Sequence, residues 1–517
     1  MSKRMLASAK MKKSLITLSI LAAVGAARAA EPAARAVVTV EPGKVVGPIK
    51  PMNATNNGPN VPPVNGGMKC GNFAEFCQLR IPYARVHDAI NIVSGGAHCA
   101  DVSAIFPDFD ADENDPKNYD FVFTDWYLDA VRRAGIEIFF QLGETIEHGP
   151  RKYTVLPPKD FAKWARICEH IIMHYNEGWG WNAHTERTCR NLQWSDRFNI
   201  KYCEIWNEPD LDCCDDVTKI LTPRCWGGTV TNFFELYDIS SKHLKKRFPQ
   251  MKIGGPALAK DEDFANRFLR WTREHGDPLD FYSWHIYART PAKIVERCRK
   301  VRRLLDKYGY RETESILNEW NYVKGWGDDF VYSRRCMSGD QVLFGAAFAS
   351  AVMSRCQDAP IDMLMYYDAR PSCFNGMFDG VTRWPMKGYY PFYAWSKLRE
   401  DYGTQVACAV KENVTEDVLA VAGYVEKKDK SVAGSFSAVA AKDAAGRLAV
   451  LVTRFSDDRN VTDTGTLVLR IPGRRIEKGF AHVTDFVRSY TEVPLIPQKD
   501  GSALLSMQPL SFALIEI

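Results

Sequence analysis

Beyond its amino terminus the sequence lacks any apolar run long enough to span a bilayer. It also lacks a run of five or six basic residues, and its 67 basic residues nearly balance 63 acidic ones for a net charge of +4. This mild excess favours neither nucleic acid nor a strongly acidic partner. No CxxC pair is matched by a second pair or by suitably spaced histidines, which argues against a structural zinc site. Internal repeats and low-complexity linkers are also absent.

The amino terminus has the pattern of a signal peptide. Lys12-Lys13 precedes the apolar residues 15–24, and Ala27-Arg28-Ala29 matches a small-x-small cleavage site. We therefore predict that residues 1–29 are removed, and that the mature protein is soluble, secreted or periplasmic, with no segment inserted in a membrane. A mitochondrial-type presequence or an uncleaved anchor is the alternative interpretation.

Residues 45–404 alternate short apolar runs with amphipathic helical patterns, which predicts a (β/α)₈ TIM barrel. The predicted strands are residues 45–52, 81–86, 136–142, 201–206, 252–255, 280–287, 314–318 and 362–367. The predicted helices are residues 123–134, 160–175, 232–248, 292–308 and 341–356. A doubly wound open sheet is the alternative, but no glycine-rich phosphate loop follows the first predicted strand.

Residues 405–517 are different in character, with short β-rich runs separated by Asp, Gly and Lys clusters. They predict an appended antiparallel β-sandwich. Residues 36–40, within an amino-terminal segment spanning residues 30–44, can add a strand to that domain. Since no flexible linker separates the two domains, we expect them to pack rigidly.

Two glutamates stand at the carboxyl ends of predicted strands, where barrel active sites lie. Asn207-Glu208-Pro209 ends the fourth strand, and Asn318-Glu319 ends the seventh. Two such carboxylates can hydrolyse a glycosidic bond, with retention if they lie about 5 Å apart and inversion at roughly 6.5–9.5 Å. The sequence alone does not measure that gap.

These motifs resemble those of clan A glycoside hydrolases, and within that clan the chain resembles family 39, which includes β-xylosidases and α-L-iduronidases. The resemblance covers residues 40–517. Besides the two glutamate motifs it rests on Arg85-Val86-His87-Asp88, Asp125-Trp126-Tyr127-Leu128-Asp129, Phe139-Phe140-Gln141-Leu142-Gly143 and Trp284-His285-Ile286-Tyr287.

The resemblance implies that Glu208 is the general acid/base and Glu319 the nucleophile. Asn207 would hold the sugar 2-hydroxyl, and His87 and His285 would line the sugar subsite. Strict strand alternation puts Asn207 and Glu208 on opposite faces, so both can serve only if the strand turns there.

An ionised nucleophile needs positive charge or hydrogen-bond donors beside it. Arg85 can supply charge to Glu319 in a bidentate contact, and Tyr287 can donate a hydrogen bond.

Each assignment has a structural alternative. Either glutamate could form a loop salt bridge, Arg85 could pair with Asp88 or Glu144, and both histidines could be satisfied core residues. The candidates for additional substrate contacts, any of which could instead be rim or core residues, are Glu144, His148, Trp179, Trp181, Trp194 and Tyr366.

Fourteen cysteines are many for such a chain, and export would permit disulfides. Cys213, Cys214 and Cys225 follow the first glutamate motif and could staple the loop beside it. Cys70 and Cys77 are close in sequence, whereas Cys168 lies on an apolar helix face and is expected to be free.

The sequence therefore predicts a secreted retaining glycosidase acting on a glycan, most simply a β-xylosidase, without a metal or organic cofactor and without a nucleic-acid partner. An enzyme of the α-L-iduronidase or arabinosidase type and a non-catalytic glycan-binding barrel are the alternatives. Oligomeric state is not indicated.

Overall fold

The computed structural model describes residues 34–59, 71–89, 98–147, 152, 154–181, 198–220, 222–337, 342–371, 376–412, 435–458, 461 and 464–517. The predicted signal peptide, Cys70, His148 and Trp194 lie outside these residues. Within them, no helix is long and apolar enough to cross a membrane.

Eight parallel strands close into a barrel, as predicted. The first strand of the chain, β1 (Ala34–Pro48), belongs to a second sheet. The barrel strands that follow are β2 (Ala54–Asn56), β3 (Tyr83–Val86), β4 (Glu137–Leu142), β5 (Tyr202–Ile205), β6 (Lys252–Leu258), β7 (Phe281–Ala288), β8 (Glu314–Tyr322) and β9 (Met363–Tyr366).

Most of the longer helices are amphipathic, and several carry end signals that the sequence displays. Asp160 accepts a hydrogen bond from the Lys163 amide at the start of one of them, and Gly178 adopts a φ of 82° at its end. The helices are α1 (Phe73–Gln78), α2 (Val102–Ile105), α3 (Val122–Arg133), α4 (Phe161–Glu177), α5 (Val230–Arg247), α6 (Glu262–His275), α7 (Pro291–Lys307), α8 (Asp328–Met337), α9 (Leu343–Cys356) and α10 (Tyr390–Lys397).

The prediction for the first barrel strand was wrong. Residues 45–48 end β1, where Val45 pairs with Val406 and Pro48 with Thr404. The barrel begins instead at β2, a three-residue strand whose side chains are fully buried although two of them are polar. A short strand of Ala, Thr and Asn has no apolar run. The prediction was therefore placed on the more hydrophobic residues just before it.

The second sheet has ten strands and is mostly antiparallel. The predicted antiparallel domain is thus confirmed, and the pairing of β1 with β13 is a parallel exception within it. Ala36, Val38 and Val40 of β1 are fully buried in its core. Besides β1, its strands are β10 (Thr404–Glu412), β11 (Ser435–Lys442), β12 (Leu448–Phe455), β13 (Gly465–Arg470), β14 (Phe480–Thr484), β15 (Thr491–Pro494), β16 (Ile496–Pro497), β17 (Ala503–Met507) and β18 (Ser511–Glu516).

Helix α9 and strand β12 join the two domains. Val450 and Val452 face the core of the second sheet, whereas Ala449 and Leu451 pack into the barrel-side core. Helix α9 is apolar on all sides because it lies between the barrel and this sheet. A strand buried on both faces reads as a continuous apolar run, which is the pattern of β12.

Candidate active site

The end of β5 turns sharply, which brings two consecutive side chains into the barrel mouth. Trp206 and Glu208 adopt positive φ values of 69° and 46°, and both Asn207 and Glu208 are buried. The turn is held by the Trp206 indole, which donates to the Cys225 carbonyl at 2.7 Å, and by the Glu208 amide, which donates to the Ala257 carbonyl at 3.1 Å. The left-handed residues therefore break the alternation that would have separated Asn207 from Glu208.

Glu319 reaches the mouth differently, from within a strand. Strand β8 runs on to Tyr322, four residues beyond its predicted end. Its pairing with β7 is irregular, since Leu317 pairs with Trp284 and Glu319 with the next residue, His285. This bulge re-aims side chains along the strand.

The two carboxylates lie close together across the mouth. One oxygen of Glu208, one of Glu319 and one ring nitrogen of His285 all lie within 4.8 Å of one another. His285 Nδ1 is 2.8 Å from Glu208 Oε1 and 3.6 Å from Glu319 Oε2. The Tyr287 hydroxyl donates to Glu319 Oε1. By geometry alone, two carboxylates and an imidazole could also ligate a divalent cation.

Arg85 does not form the predicted bidentate contact with Glu319, and it pairs with neither Asp88 nor Glu144. Its Nε donates to Glu204 Oε2 at 2.7 Å, and its Nη2 donates to Asn207 Oδ1 at 2.7 Å. Its Nη1 is 3.4 Å from Glu319 Oε2. The guanidinium of Arg85 therefore shares its donors among several acceptors, because the buried carboxylate of Glu204 lies nearer to it than that of Glu319 does.

Glu204 is the main site residue that the sequence reading missed. It is fully buried, and it also accepts a hydrogen bond from Asn318 Nδ2 at 2.5 Å. Asn56 of β2 accepts from Arg85 at 3.1 Å and donates to the Asn318 carbonyl at 2.8 Å. A charged residue inside the apolar run of β5 was the available signal, since a buried charge requires a partner.

Several polar atoms at the mouth are buried and lack a hydrogen-bond partner among the described residues: Asn207 Nδ2, His87 Nδ1, Gln141 Nε2 and His285 Nε2. Buried polar atoms are nearly always paired in a working state of a protein. Burial lowers the pKa of His87 to about 3 and also lowers that of His285, so both imidazoles are neutral. These atoms can therefore exchange hydrogen bonds with an uncharged hydroxyl-rich ligand.

Burial raises the pKa of both carboxyl groups. For Glu208 it acts together with the negative charge of Asp210 and raises the pKa to about 8. For Glu319 it is partly opposed by His285, Arg85 and the Tyr287 hydroxyl, and the pKa is raised only to about 7. Glu208 therefore keeps its proton to higher pH than Glu319 does.

A salt-bridged cluster lies between the ends of β3 and β9. Arg370 donates to Asp368 Oδ2 at 2.6 Å and to the Asp88 carbonyl at 2.8 Å, and the Tyr367 hydroxyl donates to Asp88 Oδ2 at 2.5 Å. Burial opposes ionisation of Asp88, but the positive charge of Arg370 and the hydrogen bond from Tyr367 favour the ionised form, and its pKa is lowered. The positive charge of Arg370 is thus already matched by carboxylates.

The remaining candidates have packing partners. Glu144 accepts from the Ser103 amide at 3.0 Å and from its hydroxyl at 2.5 Å. Trp179 stacks on His170, and the Trp181 indole donates to the His174 carbonyl at 3.1 Å. Tyr366 is buried against Trp320 and Phe392.

The loop after Glu208 is not stapled by a disulfide, because Cys213, Cys214 and Cys225 are free thiols, as are Cys77 and Cys168. Asp212 secures the loop instead, accepting from the amides of Arg224 at 2.7 Å and Cys225 at 3.0 Å. The Cys225 thiol is buried and lies 3.9 Å from Glu208 Oε2.

The model of glycosyl hydrolases family 39 matches residues 74–324, a range that contains both glutamates and Arg85, His87, Asn207, His285 and Tyr287. Over these residues the chain is similar to family 39. Its relatives include two β-xylosidases. The one from Caldicellulosiruptor saccharolyticus is 23% identical over 348 residues, which are 59% of this chain and 64% of the relative. The one from Geobacillus stearothermophilus is 26% identical over 257 residues, which are 44% of this chain and 46% of the relative.

The alignments thus span less than two thirds of either β-xylosidase. The fold extends further. A crystal structure of a glucosidase from Croceicoccus marinus superposes with a TM-score of 0.65, at 19% identity, over 93% of this chain and 98% of that one.

Proposed function

We propose that the protein is a retaining glycosidase that releases a terminal sugar by double displacement. The observation that carries this proposal is the approach of the Glu208 and Glu319 oxygens to within 4.8 Å. Retaining glycosidases hold their carboxyl groups about 5–5.5 Å apart, whereas inverting ones leave room for a water at roughly 6.5–9.5 Å.

In the first step Glu319 attacks the anomeric carbon while Glu208 transfers its proton to the departing glycosidic oxygen. The C–O bond to the leaving group breaks, and a covalent glycosyl ester forms on Glu319. In the second step Glu208, now a carboxylate, takes a proton from water as the water attacks the same carbon. Release of the sugar restores both carboxyl groups to their starting forms.

The surroundings of each carboxyl group support these roles. Glu208 is buried beside a neutral imidazole, and Asp210 adds negative charge nearby, so a proton is held there. Glu319 has the Arg85 guanidinium and the Tyr287 hydroxyl beside it, which favour the ionised form. Asn207 Nδ2 has no protein partner among the described residues and can donate to the sugar 2-hydroxyl.

The charges at the mouth favour an uncharged terminal sugar, and the β-xylosidases among the relatives suggest a xyloside. Arg85 is committed to Glu204 and Asn207, and Arg370 to Asp368 and Asp88. A uronic acid would place a third carboxylate beside Asp88 and Asp368, which favours the xylosidase interpretation over the α-L-iduronidase one. An arabinoside is also uncharged and is separated from a xyloside only by assay.

The lysine-led apolar stretch and Ala27-Arg28-Ala29 support export as part of the proposal. Mass spectrometry of the protein recovered from its native host tests this, since an exported protein would begin near residue 30. A cytoplasmic full-length protein would overturn it.

The decisive experiment is a set of aryl glycosides (β-xyloside, α-L-arabinofuranoside, β-glucoside and α-L-iduronide) with the first product followed by NMR. We expect fastest turnover of the xyloside and a first product with the anomeric configuration of the substrate. The matched control is Glu208→Gln/Glu319→Gln, which keeps the shape of the site but should show no turnover. An inverted first product would overturn the mechanism, and glycan binding without turnover by the parent would favour a binding barrel.

A further inference from the structure

Helix α7 concentrates positive charge that the rest of the chain does not show. It carries seven basic and two acidic residues, although the whole chain has a net charge of only +4. Lys293, Arg297, Lys300, Arg303 and Lys307 recur at helical spacing and share one face.

This face borders two adjoining cavities between α6 and α7. The smaller, of about 230 Å³, is also lined by His285 and Ile286 of β7. The larger, of about 490 Å³, shares Glu262, Arg297 and Lys300 with it and is floored by Tyr282 and Leu304. We call the two together the α7 groove; its cations are Lys260, Lys293, Arg297, Lys300, Arg303 and Lys307.

The groove starts beside the candidate active site. Helix α7 follows β7, the strand that carries His285 and Tyr287, so its first turn lies at the barrel mouth. From Lys293 to Lys307 the helix rises by about 21 Å, at about 1.5 Å per residue. The cationic face therefore runs from the wall of the site down the outside of the barrel.

The groove has more cationic side chains than carboxylates to pair with them. Glu262 contacts Lys300 and lies 3.8 Å from Arg297, and Glu296 lies 3.5 Å from Lys293. Two carboxylates thus offset part of the charge of six cations. A double-stranded nucleic acid, with one negative charge per about 1.7 Å, would bring both carboxylates against a dense row of phosphates. A chain with widely spaced carboxylates matches this moderate charge density better.

We propose that the α7 groove binds a carboxylate-bearing stretch of a polysaccharide whose neutral terminal sugar lies between Glu208 and Glu319. This inference rests on the proposed glycosidase function. Two regions of the protein would then bind one polysaccharide. The barrel mouth disfavours a charged sugar, and the α7 groove favours uronate substituents further along the same polysaccharide. The carboxylates would pair with exposed Lys and Arg side chains, so binding should weaken as salt increases.

The test compares binding of polygalacturonate and of unsubstituted xylan by affinity gel electrophoresis. The groove variant is Lys300→Gln/Arg303→Gln/Lys307→Gln. The matched control is Arg474→Gln/Lys478→Gln/Lys499→Gln, which removes three exposed charges from the second sheet domain. We expect the parent and the control to bind polygalacturonate more tightly than xylan. The groove variant should lose about tenfold in affinity for polygalacturonate only, as the sum of three modest surface charge contributions.

Turnover of the aryl xyloside, measured in parallel, separates this inference from the proposed function. The groove variant should keep the parent's turnover, since its three substitutions lie outside the carboxylate pair. If the parent does not turn over the aryl xyloside, the proposed glycosidase function is overturned, whether or not the α7 groove binds polygalacturonate. Equal binding of polygalacturonate and xylan by the parent, or an equal loss in the control, would overturn the groove. Tighter binding of duplex DNA than of polygalacturonate would also overturn it, in favour of a nucleic-acid surface.

Discussion

The two strand ends that carry the carboxylates differ in backbone and in surroundings. Glu208 stands past the end of β5 in a left-handed turn, and its side chain meets a neutral imidazole and a thiol. Glu319 stands inside β8 at a bulge, and its side chain meets a guanidinium and a hydroxyl donor. Both are buried to a similar degree, at 6% and 5% exposed, so burial does not distinguish them.

The difference shows how one site can hold a proton on one carboxyl group and a charge on the other. Burial raises the pKa of both. At Glu208 the charge of Asp210 adds to this effect and Arg85 and Arg224 partly offset it, whereas at Glu319 His285, Arg85 and the Tyr287 hydroxyl offset it. The roles of proton donor and nucleophile would therefore follow from neighbouring side chains rather than from depth. Variants should expose this difference between the two carboxyl groups. We expect the largest effect on activity from removing a carboxylate, a smaller one from removing its hydrogen-bond donors, and the smallest from removing a weak contact.

Removal of the proposed nucleophile should have the largest effect. In Glu319→Ala we expect kcat to fall by at least about 10⁴-fold, because no covalent intermediate can form. Added azide should restore turnover by entering from the vacated face, giving a glycosyl azide of inverted configuration by NMR. The control Glu314→Ala, at the opposite end of the same strand, should retain parent turnover. Parent-like turnover in Glu319→Ala would refute the assignment.

Removal of the proposed acid/base should depend on the leaving group. In Glu208→Ala we expect a loss of about 10²–10⁴-fold for alkyl xylosides, whose leaving oxygen requires protonation. Dinitrophenyl xyloside needs no protonation, so formation of its covalent intermediate should slow far less, measured as a burst of dinitrophenol. Azide should now give a product of retained configuration. Equal losses for both substrates would contradict a role in proton donation.

Arg85→Met should affect both stability and pH dependence. We expect a loss of about 3–5 kcal/mol in the free energy of unfolding by urea, because Glu204 is left buried without its guanidinium. The acidic limb of kcat/KM should move to higher pH, since Glu319 loses a positive neighbour. In Arg85→Met/Glu204→Gln part of the stability should return while the shift of the limb remains. If the limb also returned, Arg85 would not act on Glu319.

The smallest effect should come from replacing the Cys225 thiol beside Glu208, and it should appear in the pH dependence of kcat/KM. In the parent, kcat/KM should be bell-shaped, with an acidic limb near pH 7 where Glu319 ionises and an alkaline limb near pH 8 where Glu208 loses its proton.

Burial raises the pKa of the Cys225 thiol, so it stays protonated and can donate to the Glu208 carboxylate. Cys225→Ala should raise the alkaline limb by less than about one pH unit, and Cys225→Ser, a stronger donor, should lower it. Cys213→Ala is the control and should leave the profile unchanged. Shifts in the same direction for Ala and Ser would argue against the hydrogen bond.

Much of the fold was predictable because hydrophobic period is a local property. The strands around Phe139, Ile205 and Leu364 and the helices between them follow apolar runs and amphipathic patterns. The first barrel strand was missed because Ala54, Thr55 and Asn56 show no such pattern, and they are buried only because seven other strands surround them. Residues 45–48 are apolar and yet belong to the second sheet.

The residue types at the strand ends, the pair Glu208 and Glu319, and the resemblance to the family are all readable from the order of residues. Three features required the folded chain: the pairing of Arg85 with Glu204, the contact of Cys225 with Glu208, and the cationic groove that α7 lines beside His285. The reason is physical. Strand and helix periods depend on neighbours in the chain, whereas the partner of a charge and the cost of burying it depend on groups that meet only after the barrel has closed.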